Sequence, residues 1–282
     1  MTKILALVDG SQYSQSVCDN AAWAAERLSA EVDLLHVIGR RDTASAPADY
    51  SGSLDLGERE QLLKELAEFD EQKGRLARKR GRLVLSEGAA RLRERGVETV
   101  SERLLSGDLV DTVREQESGA ELLVIGKRGE AADFAKLHLG SNLERVLRGA
   151  TRPVLVSARA FRPVKRFLVA FDGGPSVAKA LDHLVASPLL KGAACELLMV
   201  SDKTSDPRLD RAVETLNAAG YDATGILQKG EPDAVIAAHV ERDEIDLIVM
   251  GAYGHSRIRS YFIGSTTSEI VRSCLRPVLM FR

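Results

Sequence analysis

Cysteine is scarce in this chain: Cys18, Cys195 and Cys274 are scattered, odd in number and set among apolar neighbours. That pattern argues against both a disulfide framework and a clustered metal site, and it reads as three buried thiols behaving as small hydrophobes. Long apolar runs are missing too, since none approaches the roughly 20 residues that a membrane-spanning helix needs. The start Met1-Thr2-Lys3, followed by a short apolar strand, lacks the pattern of a secretory leader, so a cytoplasmic location is expected. Charge is not of one sign either. A formal net charge of −2 supplies no global attraction to nucleic acid or to an acidic membrane, and neither partner is expected. Chemical signatures of large enzyme classes are also wanting: there is no Walker pattern, no Gly-x-Gly-x-x-Gly fingerprint after the first strand, and no nucleophile with an adjacent base and orienting acid.

What the chain does have is repetition. In the second half the apolar run Leu247 to Met250 leads into Gly251 and Gly254, and after nine intervening residues come Gly264, Ser265 and Thr266. In the first half Leu122 to Ile125 leads into Gly126 and Gly129, and after ten intervening residues come Gly140, Ser141 and Asn142. Asp9-Gly10-Ser11 follows the run Ile4 to Val8, as Asp172-Gly173-Gly174 follows Phe167 to Phe171. The halves close alike, with Arg152-Pro153-Val154-Leu155-Val156 echoed by Arg276-Pro277-Val278-Leu279-Met280. Four landmarks in one order identify a duplication. At 282 residues and 44% hydrophobic, the chain can bury two cores of ordinary size.

Short apolar runs alternating with helical patterns predict βαβ crossovers, hence two tandem five-stranded, mainly parallel, doubly wound α/β sandwiches packed as a pseudo-dimer. The domains are expected at 1–158 and 164–282, joined by the short segment around Pro163, which disfavours helix. The second half reads cleanly, including a helix from Ser176 to Leu190 and another from Ser265 to Ser273. The first carries about 38 extra residues after its second strand, a helical insertion near 40–80: a small-residue loop, Asp42 to Gly57, then a charged helix near Glu58 to Arg95. Leu62, Phe69, Leu76, Leu83 and Ala90 lie seven apart along one side of it and predict the face that packs. Lys73 and Arg80 interrupt a full apolar seam, so packing on its own domain is expected ahead of a coiled-coil dimer. Gly74, Gly81 and Gly88 weaken helix propensity and are expected to divide it. Its basic run, Lys73, Arg75, Arg78, Lys79, Arg80 and Arg82, follows the acidic Glu65, Glu68, Asp70 and Glu71 and reads as a solvated face, with an anionic partner as the alternative.

In open parallel sheets, ligands bind beyond the carboxyl ends of the strands where strand order reverses. Asp172 ends the first strand of its half and Gly251 the fourth, so both line one expected crevice. Glycine at 251 and 254 admits close backbone approach to phosphate, while Gly264, Ser265 and Thr266 offer amides and hydroxyls at a helix start whose dipole favours anions. Asp172, beside Gly173, suits ribose hydroxyls or a divalent metal, and Val200 presents backbone groups to a base edge. His255, directly after Gly254, can donate to a phosphate or cap the loop, whereas His36, His183 and His239 read as structural.

The pattern Gly-x-x-Gly, nine residues, Gly-Ser/Thr, preceded by aspartate at the end of the first strand, resembles the universal stress protein family in its nucleotide-binding form. Gly251, Gly254, Gly264 and Ser265 with Asp172, and Gly126, Gly129, Gly140 and Ser141 with Asp9, resemble a tandem member, over nearly the whole chain except the insertion. The resemblance implies ATP binding with a divalent metal such as Mg²⁺ or Mn²⁺, a sensor or regulator with an unknown protein partner, and no strong catalysis. It further implies that Arg152 to Val156 and Arg276 to Met280 meet about a pseudo-twofold axis, an internal dimer that covers two sheet edges and leaves further homodimerisation open. The first half departs from the pattern by one residue of spacing and carries Glu130 and Asp133, which repel phosphate unless Lys127 and Arg128 compensate, so the second site is favoured. Phe171-Asp172-Gly173-Gly174-Pro175-Ser176 also resembles the loop of ATP pyrophosphatases, yet the first serine and the later aspartate are missing. Slow ATP hydrolysis and a nucleotide-free interaction module are the alternatives.

Overall fold

The computed structural model describes residues 2–39, 43, 56–129, 141–252 and 265–282. Strands β1 (Lys3–Leu7), β2 (Glu31–Ile38), β3 (Val100–Ser106), β4 (Ala120–Gly126) and β5 (Val154–Ser157) form one half, and β6 (Arg166–Ala170), β7 (Ala194–Val200), β8 (Asp222–Gln228), β9 (Leu247–Gly251) and β10 (Val278–Phe281) the other. Eight helices are described: α1 (Ser14–Leu28), α2 (Leu56–Glu94), α3 (Leu109–Gln116), α4 (Ser141–Gly149), α5 (Pro175–Ala186), α6 (Pro207–Ala218), α7 (Pro232–Arg242) and α8 (Ser265–Ser273).

All ten strands join one sheet, in the order β3-β2-β1-β4-β5-β10-β9-β6-β7-β8. Among the described residues the pairing within each half is parallel, and the single antiparallel pair, β5 with β10, joins the halves. Leu155 lies opposite Leu279 there. The two residues are repeat equivalents, so the pseudo-twofold axis passes through their pairing, as the family resemblance implied.

Alternation along each strand sends side chains to two buried layers. Ile4, Ala6, Leu122, Val124, Leu155 and Leu279 pack with α1, α2, α5 and α6 on one face. Leu5, Leu7, Leu123, Ile125, Val156 and Met280 pack with α3, α4, α7 and α8 on the other. All three cysteines are buried, and burial pushes Cys18 and Cys195 up to about 12, consistent with inert thiols.

Three expectations about helices fail for physical reasons. Helix α5 ends at Ala186 rather than Leu190, because Ser187 precedes Pro188 and takes extended geometry, φ −98° and ψ 138°. The insertion helix is undivided over 39 residues, and its glycines are the means by which it packs. A Cβ at Gly81 would stand 2.5 Å from Leu104 Cδ1, and one at Gly88 would stand 2.7 Å from Leu34 Cδ2. The face toward α1, β2 and β3 is therefore Gly81, Leu85, Gly88, Ala89 and Leu92. Phe69, Leu76, Leu83 and Ala90, expected to pack, point outward, with Leu62 half-buried. Asp19, buried on α1, fixes the helix end through Arg91 at 2.8 and 2.7 Å and Arg95 at 3.1 Å.

Candidate functional site

Strand order turns back between β1 and β4 and again between β6 and β9, so each half has a crevice at the carboxyl ends of those strands. Ala170 pairs with Met250, which sets Asp172 and Gly251 at the mouth of the same crevice. Asp172 Oδ1 accepts from the Gly174 amide at 2.8 Å, and Gly173 between them takes φ +68°, a left-handed conformation that favours glycine. The first half repeats this device: Asp9 Oδ1 accepts from the Ser11 amide at 3.0 Å, with Gly10 at φ +80°. Each aspartate thus shapes its own turn as well as facing the crevice.

The structure supplies a packing reason for two of the motif glycines. A Cβ at Gly126 would lie 2.7 Å from Tyr13 Cβ, and one at Gly251 would lie 2.7 Å from Ser176 Cβ and 3.2 Å from the Val177 amide nitrogen. Tyr13 and Ser176 are repeat equivalents at the start of α1 and α5, so glycine here admits a helix whether or not a ligand follows. Other sequence-derived residues converge. A Cβ at Gly129 would stand 2.9 Å from Asp9 Oδ2, which brings the loop of the first half onto its aspartate. Thr267 Oγ1 donates to the Gly251 carbonyl at 3.4 Å, which ties the first turn of α8 to the end of β9. Val200 ends β7, paired with Gln228, and Asn142 is exposed in the first turn of α4. Gly140, Gly254, His255 and Gly264 lie outside the described residues, as do the side chains of Ser141, Ser265 and Thr266.

Two residues that motif reading missed lie over these turns. Arg208, at the start of α6, places Nη1 2.7 Å from where a Cβ on Gly173 would be. Its Nε and Nη2 are held by Asp206 at 3.0 and 2.8 Å, and this pairing keeps the Asp206 carboxyl well below the usual carboxylate range. In the first half Arg80 of α2 places Nη2 3.7 Å from the same point on Gly10. A cationic side chain thus reaches each aspartate-glycine turn from the helix that follows the second strand. Asp206-Pro207-Arg208 was legible as a helix start; Arg80 sits in the insertion, where no repeat alignment leads to it.

Lys127 departs from its expected role. Its side chain is buried, and Nζ donates to the carbonyl of Cys274, near the end of α8 in the other half, rather than facing the glycine loop. Burial lowers its pKa from 10.5 to about 8. Between those two values the unfolded chain holds the proton that the folded chain has lost, so stability rises with pH across that window, and the burial penalty is complete below pH 8. Lys127→Met is therefore expected to stabilise the fold by about 2 kcal/mol at pH 7, allowing for the lost hydrogen bond. The gain should shrink to nothing above pH 10.5, and urea denaturation at pH 7, 9 and 10.5 tests it; a pH-independent difference would refute the burial account.

His36, His183 and His239 make structural contacts. His239 is buried with Nε2 2.6 Å from Glu196 Oε2 and Nδ1 3.1 Å from Asp243 Oδ2. These three are the one group among the described residues with the reach of a metal site, but Arg242 Nη2 lies 3.0 Å from Nδ1, and the group sits at the amino ends of the strands, away from the crevice. His183 packs on Phe281 with ring centroids 5.2 Å apart, and burial lowers its pKa. His36 Nδ1 lies 2.8 Å from the Val8 carbonyl.

Comparison with known proteins adds to this geometry. The model of the universal stress protein family matches residues 1–158 and 209–282. Universal stress protein Slr1230 of Synechocystis sp. is 36% identical over 287 residues, covering all of both chains. A universal stress protein of Mycolicibacterium smegmatis is 24% identical, over 99% of this chain and 96% of its own. A crystal structure of a universal stress protein from Archaeoglobus fulgidus covers 99% of this chain and 98% of its own, with TM-score 0.74 and 22% identity, a likeness of fold.

Proposed function

Because this chain belongs to the universal stress protein family, we propose that it binds ATP with a divalent metal, Mg²⁺ or Mn²⁺, mainly in the crevice of its second half. Occupancy then passes through the packing of the halves to a protein partner in a cytoplasmic stress response. On this reading residues 1–158 and 164–282 are the two domains. The observation that carries it is the convergence of Asp172, the Gly173 turn, Gly251 and Arg208 at the point where strand order reverses. A carboxylate suits ribose hydroxyls or a hard cation, and a guanidinium suits phosphate. Gly254, His255, Gly264, Ser265 and Thr266 complete the phosphate side, with Val200 beside the base. Asp9, Gly126, Gly129, Gly140, Ser141 and Asn142, overlain by Arg80, form a second and weaker site.

Denaturing the purified protein and identifying any released nucleotide by chromatography and mass spectrometry, with its molar ratio, is the first test. About one ATP per chain is expected. Calorimetric titration should then show Arg208→Ala weakening ATP by about tenfold, the scale of one charge-assisted hydrogen bond, while adenosine binding is unchanged. No released nucleotide, followed by no thermal shift with millimolar ATP and Mg²⁺, would leave the nucleotide-free interaction module as the better reading.

A further inference from the structure

Helix α2 lies on its own half through a glycine face, and this leaves a second face unused among the described residues. Phe69, Leu76 and Leu83 are 58%, 67% and 56% exposed. They recur every seven residues, and from Leu62 to Leu83 the stripe runs for about 30 Å along the helix.

The charges along α2 select an occupant. Between Leu62 and Leu83, Glu65, Glu68, Asp70 and Glu71 outnumber the lone Lys64 in the amino-terminal half, and Lys73, Arg75, Arg78, Lys79, Arg80 and Arg82 follow. A parallel pairing of two such helices sets basic run on basic run. An antiparallel pairing sets each acidic segment on a basic one. Centred between Phe69 and Leu76, it brings Leu62 opposite Leu83, Phe69 opposite Leu76 and Asp70 opposite Arg75, each arrangement occurring twice about the twofold axis. The existing pair of Arg75 with Glu71, 2.7 Å apart, is exposed on both sides and holds neither charge strongly within its own helix.

We propose that the outward face of α2 is a homodimer interface, an antiparallel helix pair between two copies of this chain. Its register is set by Phe69, Leu76 and Leu83, and its direction by the acidic and basic halves. The interface is separate from β5 and β10, which are already paired within one chain, and it is independent of nucleotide binding.

Sedimentation velocity of the full chain across a hundredfold concentration range tests the association. A reversible dimer is expected, and Leu76→Glu should weaken it at least about tenfold by setting a carboxylate in an apolar seam. At concentrations where both chains are monomeric its melting temperature should match that of the native chain, since Leu76 is exposed in the single chain. Direction is read from single-cysteine variants under mild oxidation; the native thiols are buried. Gln72→Cys, beside the twofold axis, should cross-link with its copy, and Leu83→Cys should not. A chain that stays monomeric throughout, a dimer indifferent to Leu76→Glu, or cross-linking through Leu83→Cys would each overturn the proposal.

Discussion

Replacing Gly88 by leucine is expected to cost more than 4 kcal/mol and to lift α2 from the sheet. Glycine inside a helix normally lowers stability by about 1 kcal/mol relative to alanine, so substitution there usually helps. Here a Cβ would stand 2.7 Å from Leu34 Cδ2 and 3.3 Å from Cys18 Sγ. Leu34 is fully buried in the strand beneath, with no room to turn aside. Even Gly88→Ala should lose about 1–2 kcal/mol, because overpacking outweighs the propensity gain. Gly74 provides the contrast within the same helix: its nearest neighbour is the flexible end of Arg78 at 3.6 Å, and Gly74→Ala should gain about 1 kcal/mol. Urea denaturation of the three variants decides the matter. Equal stabilisation by Gly74→Ala and Gly88→Ala would show that α2 does not lie on the sheet at this distance.

The second large effect is expected at the join of the halves. Leu279 is completely buried and pairs with Leu155 at the pseudo-twofold axis. Leu279→Asp removes a core side chain and buries a carboxyl group with no polar partner, a loss of about 4 kcal/mol or more. Because the change lies where the two five-stranded halves share one sheet, both should unfold together at lower denaturant. Leu275 lies four residues away and is 85% exposed, so Leu275→Asp should leave the midpoint within about 0.5 kcal/mol of native. Two separate unfolding transitions in Leu279→Asp, one of them native-like, would show instead that the halves stand without each other.

Gly251 carries a related caution for experiment. Its Cβ position lies 3.2 Å from the backbone nitrogen of Val177, which cannot rotate away. A bulky residue there displaces the start of α5 with or without a ligand, so Arg208, at the surface and away from that packing, gives the cleaner test of nucleotide recognition.

Much of the architecture was local information. Short apolar runs such as Ile4 to Val8, Leu122 to Ile125, Phe167 to Phe171 and Leu247 to Met250, each followed by a glycine or aspartate turn and alternating with helical patterns, specify parallel strands because buried strands need continuous apolar sequence and crossovers need helices. The repeated Arg-Pro-Val-Leu closure placed the two last strands as equivalents, and their pairing about a twofold axis, which covers two sheet edges, was implied by the family resemblance. The aspartates and the glycines at the strand ends were legible for the same reason. They sit at fixed offsets from runs whose period announces itself.

What the chain could not announce was how separated pieces meet. The leucine and phenylalanine stripe of α2, repeating every seven residues, suggested a packing face, yet the sheet accepts the face of Gly81 and Gly88, because only glycine at those two positions lets the helix backbone approach Leu104 and Leu34 so closely. Lys127 stood beside the glycine loop in sequence but reaches a carbonyl of the other half. Arg80 and Arg208 stand at unrelated places in the two repeats and come to equivalent turns only after each helix has crossed back over its sheet. Periodicity and spacing determined the strands and the turns; tertiary packing decided which helix face is buried and which charges reach the crevice, because those depend on the shape of the partner surface.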